Sequence, residues 1–338
     1  MNHHKYFYPL LMALIISLLL LSLVALSVGP AHISLKETIS ILLSKSGKEV
    51  SATSYHIIWN LRLPRILSGI ITGAALAVSG MVYQAIFKNP MSDPFVLGVS
   101  SGAAFAVAFA SFLGIVGGAV GVWTIPIVAF CGSALTSFLI FFLSGGMRRS
   151  PTTLLLTGIA LNFLLSALMT LFLYLNRAQL QNIMQWTMGS FAASSWNKVA
   201  IVSVTTLIGI IPMFFLTREL DLLLVENTTA STIGMNIRGI RITLLLLCTI
   251  STSITVAFFG IIGFVGLMVP HIMRLIVGPK HHNLLPVSIV AGGVMVAVSD
   301  LIARSAISPS ELPVGVITSL AGAPLFIILL MGNKRGKS

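Results

Sequence analysis

Residues 62–104 read RLPRILSGIITGAALAVSGMVYQAIFKNPMSDPFVLGVSSGAA, and the pattern in this stretch decides the fold class. Two apolar segments flank a short polar break. Small residues recur at four-residue spacing in both: Gly69, Gly73 and Ala77 in the first, Gly98, Gly102 and Ala106 in the second. In lipid there is little hydrophobic force between helices, so close backbone approach across such stripes is a main source of packing energy. The break, Lys88-Asn89-Pro90-Met91-Ser92-Asp93-Pro94, cannot continue a helix. Pro90 and Pro94 lack N–H donors and bias the residues before them toward extended geometry. The stretch predicts a tight helical hairpin buried against other helices.

The rest of the chain agrees in composition. Charged residues are 8% of the 338 and hydrophobic residues 56%, with a mean hydropathy of +1.01. Soluble domains carry about 25% charged residues, so the composition is that of a membrane protein. A spanning helix needs about 20 apolar residues, which leaves room for roughly ten spans. Long apolar tracts without regular alternation favour helices over a barrel. The predicted fold is an all-α membrane protein, a polytopic bundle of about ten transmembrane helices forming one continuous domain over residues 1–338. The +12 net charge reads as Lys and Arg anchoring span ends rather than as a nucleic-acid surface. Cys131 and Cys248 lie inside apolar tracts and read as small core residues, not as a disulfide or metal pair.

Taken in order, a short basic start precedes the apolar run Leu10 to Val28. That run is longer than a signal-peptide core, and no clear cleavage site follows, so it reads as a retained first span. Residues 29–61 are polar and mixed and read as a loop. Further spans fall at about 64–87, 94–113, 122–143, 152–175, 198–216, 240–259, 261–277, 284–303 and 313–331. Pro64 suits a first helical turn. Residues 176–197 are amphipathic, and Trp186 and Trp196 suit a membrane interface. Ten spans put both termini on one face. That face holds twelve of the twenty Lys and Arg residues, so both termini are expected to be cytoplasmic.

Few residues offer chemistry. Asn162, inside the fifth span, needs a hydrogen-bond partner or water, for packing or for lining a pathway. Thr249 and Ser253 share one face of the seventh span; their hydroxyls bond back to helix carbonyls or line a pathway. His271 has no Cys, Asp or Glu at ligand spacing and reads as structural, and His281-His282 reads as a surface pair. No metal site or cofactor is expected. The longest cytoplasmic loop, 217–241, holds three of the eight acidic residues. Asn227, Thr228 or Thr229 could cap a short helix in it, and Gly234 could end one. The chain has no GxxxxGK[ST] and hence no phosphate cradle for ATP. No acidic residue lies mid-span, which argues against an ion-coupled secondary transporter working alone. No nucleophile–base pair suggests an intramembrane enzyme.

Arg-Leu-Pro-Arg at 62–65, GAALAVSG at 73–80, Gln84, Asn89-Pro90 and Asp93-Pro94 form one ordered set. A second runs GFVGLMVPHIMR at 263–274, LLP at 284–286, DLIAR at 300–304, ELPVG at 311–315 and GAP at 322–324. Together they resemble FecCD-type permeases of ABC importers for iron–siderophore complexes, haem and vitamin B12, over about 60–330. The resemblance implies a non-enzymatic, multi-pass subunit of the cytoplasmic membrane. Its partners would be a second permease (a copy or a paralogue), two ATP-binding subunits and an extracytoplasmic substrate-binding protein. Iron–siderophore is the expected cargo class, with haem or vitamin B12 as alternatives. Gln84 joins Asn162, Thr249 and Ser253 as a pathway or packing candidate. Ala230, Ile233 and Gly234 match the family's coupling loop, which rests on the ATPase. Arg62, Arg65 and Arg304 match arginines that meet glutamates of the binding protein. Arg62 and Arg65 also sit at the positive end of a helix dipole, mildly unfavourable at about 0.3–1 kcal/mol.

Overall fold

Helix formation follows the apolar tracts. The computed structural model describes residues 4–29, 31, 33–43, 51–116, 123–146, 150–224, 236–307 and 310–332. Its helices are α1 (His4–Ser27), α2 (Leu35–Leu43), α3 (Ala52–Ile86), α4 (Val99–Phe112) and α5 (Thr124–Leu143). After them come α6 (Pro151–Leu175), α7 (Leu180–Thr187), α8 (Trp196–Phe215) and α9 (Thr217–Leu224). The chain closes with α10 (Ile237–Phe259), α11 (Val265–Val277), α12 (His281–Ser305) and α13 (Val314–Gly332). No strand occurs among the described residues. Seven helices are long and apolar enough to cross a membrane, and Val99–Phe112, Val265–Val277 and Val314–Ile328 are shorter apolar helices. These ten apolar helices fall at the positions of the ten expected spans.

α3 is the hub. Its most apolar window is 83% buried, against 17% for α6 and 11% for α1. It packs on α8, α10, α11 and α12, and the small residues set the distance of approach. A Cβ on Gly73 would overlap the Gly292 carbonyl of α12, and one on Gly80 would overlap the Gly266 carbonyl of α11. The second stripe works the same way: a Cβ on Gly102 would meet Thr136 and the Gly132 carbonyl of α5. Backbones touch where Cβ atoms are missing, which is how helices gain packing energy in lipid. One apolar cluster includes Ala74, Tyr83, Phe191, Met213, Leu244 and Val314.

Several boundaries depart from expectation, each for a local reason. Residues 29–61 are partly helical: α2 forms, and α3 begins at Ala52 rather than near Pro64. Pro64 is accommodated inside the helix by a π-helical stretch, Ile57–Arg62, in which the Leu63 N–H reaches back to the Ile58 carbonyl. Widening the ladder ahead of a proline relieves its clash with the preceding turn. The third span opens with a 3-10 turn, Pro94–Leu97, and Gly98 at φ 76° turns the chain into α4. The eighth starts at Val265, because Gly260 (φ 76°) and Phe264 (φ 66°) hold residues 260–264 out of helix. Cys248 is buried as expected, whereas Cys131 faces outward.

Candidate functional site

Where α3 stops, the backbone must satisfy its polar groups without a helix. Lys88 takes a left-handed conformation (φ 49°), and the Asn89 side chain accepts the Met91 N–H at 2.9 Å. Asp93 accepts the Phe95 N–H at 2.7 Å and so caps the 3-10 turn. The carbonyls of that turn are met from other helices. Asn162 of α6 donates to Phe95 O and Val96 O, both at 3.3 Å. Ser137 of α5 donates to Leu97 O at 2.9 Å, and Ser101 donates to the Asn162 side-chain oxygen. Irregular backbone at membrane depth survives only when buried in protein or lining a cavity. Here it does both.

A second irregular region faces it. The Ile261 N–H donates to Thr187 O at 3.3 Å, Val314 N–H to Gly189 O at 2.9 Å and Gly315 N–H to Met188 O at 3.1 Å. The end of α7 is thereby tied by backbone bonds to the 260–264 connection and to the start of α13. Between the two regions lies a cavity of about 780 Å³, lined by Asp93, Phe95, Ser100, Asn162, Thr187, Phe264, Leu267, Ser319 and Leu320 among others. Asp93 is its only ionisable lining residue among those described. Phe264, left-handed and bulky, is in a conformation that costs about 1–3 kcal/mol for a residue other than glycine, and it packs against Gly322.

Of the pathway or packing candidates, Asn162 lines this cavity and also holds the break. Gln84 is 2% exposed; it donates to Leu267 O at 3.0 Å and accepts from Arg274 at 3.1 Å, tying α3 to α11. Thr249 pairs with the Tyr83 hydroxyl at 3.1 Å and lines a separate apolar cavity of about 290 Å³ between α5 and α10. Ser253 is fully buried. His271 stacks edge-on to Phe326 at 6.1 Å.

The three arginines gather at the end of the bundle where α12 ends, and they turn inward; because α3 starts at Ala52, Arg62 and Arg65 lie inside that helix and not, as expected, at the positive end of its dipole. Arg62 donates to the carbonyls of Leu26, Ser27 and Ala31. Arg304 donates to Ala25 O. Arg65 forms a fork with Asp300 at 2.9–3.0 Å and reaches Glu311 at 2.8 Å. Arg62 and Arg304 are 5% and 4% exposed, while Glu311 keeps about a third of its side chain in the open.

The opposite end holds one correction. His281-His282 is not a surface pair: His281 is fully buried and His282 exposed. His281 is bonded to Asp221 of α9 at 2.6 Å. Burial opposes the Asp221 charge, yet both His281 bonds and the nearby Lys280 hold its carboxyl below the usual range. Sequence reasoning passed over this pair because its members are sixty residues apart. Asp93, Phe264 and Asp300 lie within the quoted motifs but are not singled out there as site residues. A phenylalanine between Gly263 and Gly266 was the available signal for Phe264. The expected coupling residues Ala230, Ile233 and Gly234, and the caps at 227–229, lie outside the described residues.

The cavity is thus walled by two irregular connections between apolar helices. Residues 15–332 match the model of the FecCD transport family. The hemin transport system permease protein HmuU of Yersinia pestis is 35% identical, over 96% of this chain and 97% of that protein. The cobalamin import system permease protein BtuC of Halobacterium salinarum is 39% identical, over 83% and 75%. Among solved structures, a metal-chelate type ABC transporter in an inward-facing conformation superposes with a TM-score of 0.84 at 32% identity, over 95% of this chain and 98% of that one. The chain belongs to the FecCD transport family, as a multi-pass membrane permease subunit of an ABC importer.

Proposed function

We propose that this permease translocates an iron–siderophore complex across the cytoplasmic membrane, driven by separate ATP-binding subunits. The observation that carries the reading is the cavity: about 780 Å³, walled largely by apolar and hydroxyl groups, with one carboxylate and no cation among its lining. Such a wall suits a bulky chelate whose metal charge is already neutralised, and its size matches small-molecule pockets of roughly 300–1,000 Å³. Asn162, Ser100, Thr187 and Ser319 offer weak polar contacts, enough to pass cargo without holding it. Haem or vitamin B12 are the alternatives, from the relatives' names. Uptake by cells carrying this permease with its own binding protein and ATPase separates them. Ferric siderophore should accumulate, and haem or cobalamin should not. Uptake of either instead of the siderophore would overturn the cargo assignment.

The cavity is lined in part by Asn162 of α6 and by Ser319 and Leu320 of α13, and Leu320 and the neighbouring Phe163 are exposed. A second permease, a copy or a paralogue, would close the cavity. Both termini lie in the cytoplasm in this reading, which puts the α9 end inside, and residues 1–338 act as one permease domain. Segment 217–241, through Ala230, Ile233 and Gly234, contacts the ATPase. Outside, the substrate-binding protein docks at the arginine cluster. Arg65, whose Glu311 partner is partly exposed, offers the contact there, and Arg62 and Arg304 hold its platform. Arg65→Glu should slow binding-protein association and weaken its salt dependence. An unchanged association rate would remove Arg65 from the dock.

A further inference from the structure

Asp221 and His281 belong neither to the cavity nor to the arginine cluster. His281 is the first residue of α12, and the helix has no side-chain cap of its own: Lys280 stands at the cap position without a cap bond. The first N–H groups of a helix have no partner within it, and a carboxylate placed there is favoured by the helix dipole. Asp221 supplies that carboxylate from another element. Its Oδ1 accepts the His281 backbone N–H at 2.9 Å and the ring Nδ1–H at 2.6 Å. The imidazole is fully buried, and its Nε2 has no partner, so the Asp221 bond is the ring's one hydrogen bond among the described residues. Two bonds converging on one oxygen fix both the distance and the direction of α9 relative to α12.

α9 needs such fixing. It is eight residues long, too short to be stable alone, so contacts decide its pose. Leu220 and Leu223 are buried beside Asp221 and hold the helix down, but apolar contact is non-directional. At roughly 12 Å, the helix is a lever: a tilt of about 10° moves its far end by about 2 Å. That far end runs directly into residues 225–235.

We propose that the Asp221–His281 pair is a positioning latch that sets the pose of α9, at the start of the segment read as contacting the ATPase, and so the share of ATP turnovers that move cargo. The inference rests on the coupling reading above. It is tested in the full complex of permease, ATPase and binding protein, reconstituted in liposomes, by measuring transport per ATP hydrolysed. Asp221→Asn keeps a neutral acceptor in place and should lower that ratio about fivefold, while the ATPase co-purifies at the parent yield. Asp221→Ala should lower it about tenfold or more. If Asp221→Ala fails to assemble, Asp221→Asn carries the test alone. In parallel, Ile233→Cys bearing a photo-crosslinker reports on the contact itself. Crosslinking to the ATPase with transport per ATP unchanged in the Asp221→Asn complex would overturn the latch and leave the coupling reading standing. No crosslink in the otherwise unaltered complex would overturn the coupling reading, and the latch with it.

Discussion

Replacing Asp300 with asparagine removes the one carboxylate that sits between Arg65 and Arg304 inside the bundle. Asp300 is 3% exposed, forks Arg65 at 2.9–3.0 Å and lies 3.9 Å from Arg304. Removing one partner of a buried ion pair costs about 3–5 kcal/mol, because the remaining charge stays buried without compensation. Two features place this site at the lower end. Arg65 keeps Glu311, a partly exposed partner worth about 1 kcal/mol or less, and Arg304 keeps the Ala25 carbonyl. A loss of about 3 kcal/mol follows, or roughly 6–12 °C in Tm. Tryptophan fluorescence during thermal unfolding in detergent micelles would read it. The cost comes mainly from the orphaned charge, so Asp300→Asn combined with Arg304→Met should lose less than the two single losses added. A Tm for Asp300→Asn within about 1 °C of the parent would refute the reasoning. So would strict additivity in the double variant.

The glycine stripe of α3 should answer unevenly to Gly→Ala. Gly73→Ala drives a methyl into the Gly292 carbonyl and should cost about 1–3 kcal/mol, whereas at Gly69 the nearest atom, on Val296, would stand 3.6 Å away, so Gly69→Ala should be neutral or stabilising by up to about 1 kcal/mol. Equal losses at the two positions, read by thermal unfolding, would contradict the backbone-contact account. Cysteines at Gly47 and Arg149 should react with an impermeant thiol reagent from opposite membrane faces, and labelling from one face would sink the ten-span topology. The Asp221 carboxyl lies below its ordinary range in the folded chain. Its contribution is therefore complete above the unfolded value of about 3.9 and is lost as pH falls through the lower folded value. The parent's thermal advantage over Asp221→Asn should thus stay level from about pH 5 to 8 and shrink only below about pH 4; an advantage that fades between pH 5 and 8 would show another group in control.

What the sequence made legible was whatever lipid dictates locally. Apolar tracts marked ten spans, and the Gly73 stripe marked a close contact, because each follows from neighbours in sequence. The proline break at 88–94 was legible as a break for the same reason. Its completion was not: Asn162 and Ser137 satisfy the turn from other helices, and no local pattern announces which carbonyl a distant amide will meet. Arg62 and Arg304 show the same limit. As charges at span ends they read as surface groups, yet in the fold each donates to the backbone where α1 ends. His281 looked exposed beside His282, and one helical step separates a buried ring from a solvated one. The π-helical stretch before Pro64 was hidden too, because a proline at a helix start and one inside a widened turn look alike in sequence.

The central claim is that this chain moves cargo only as the membrane half of an ATP-driven machine. The direct measurement is ferric-siderophore accumulation in liposomes holding the permease, with and without its ATPase, with binding protein outside and ATP enclosed. Accumulation should require both the ATPase and enclosed ATP, and should persist when proton and sodium gradients are collapsed. Accumulation by the permease alone, driven by an imposed ion gradient, would contradict the account.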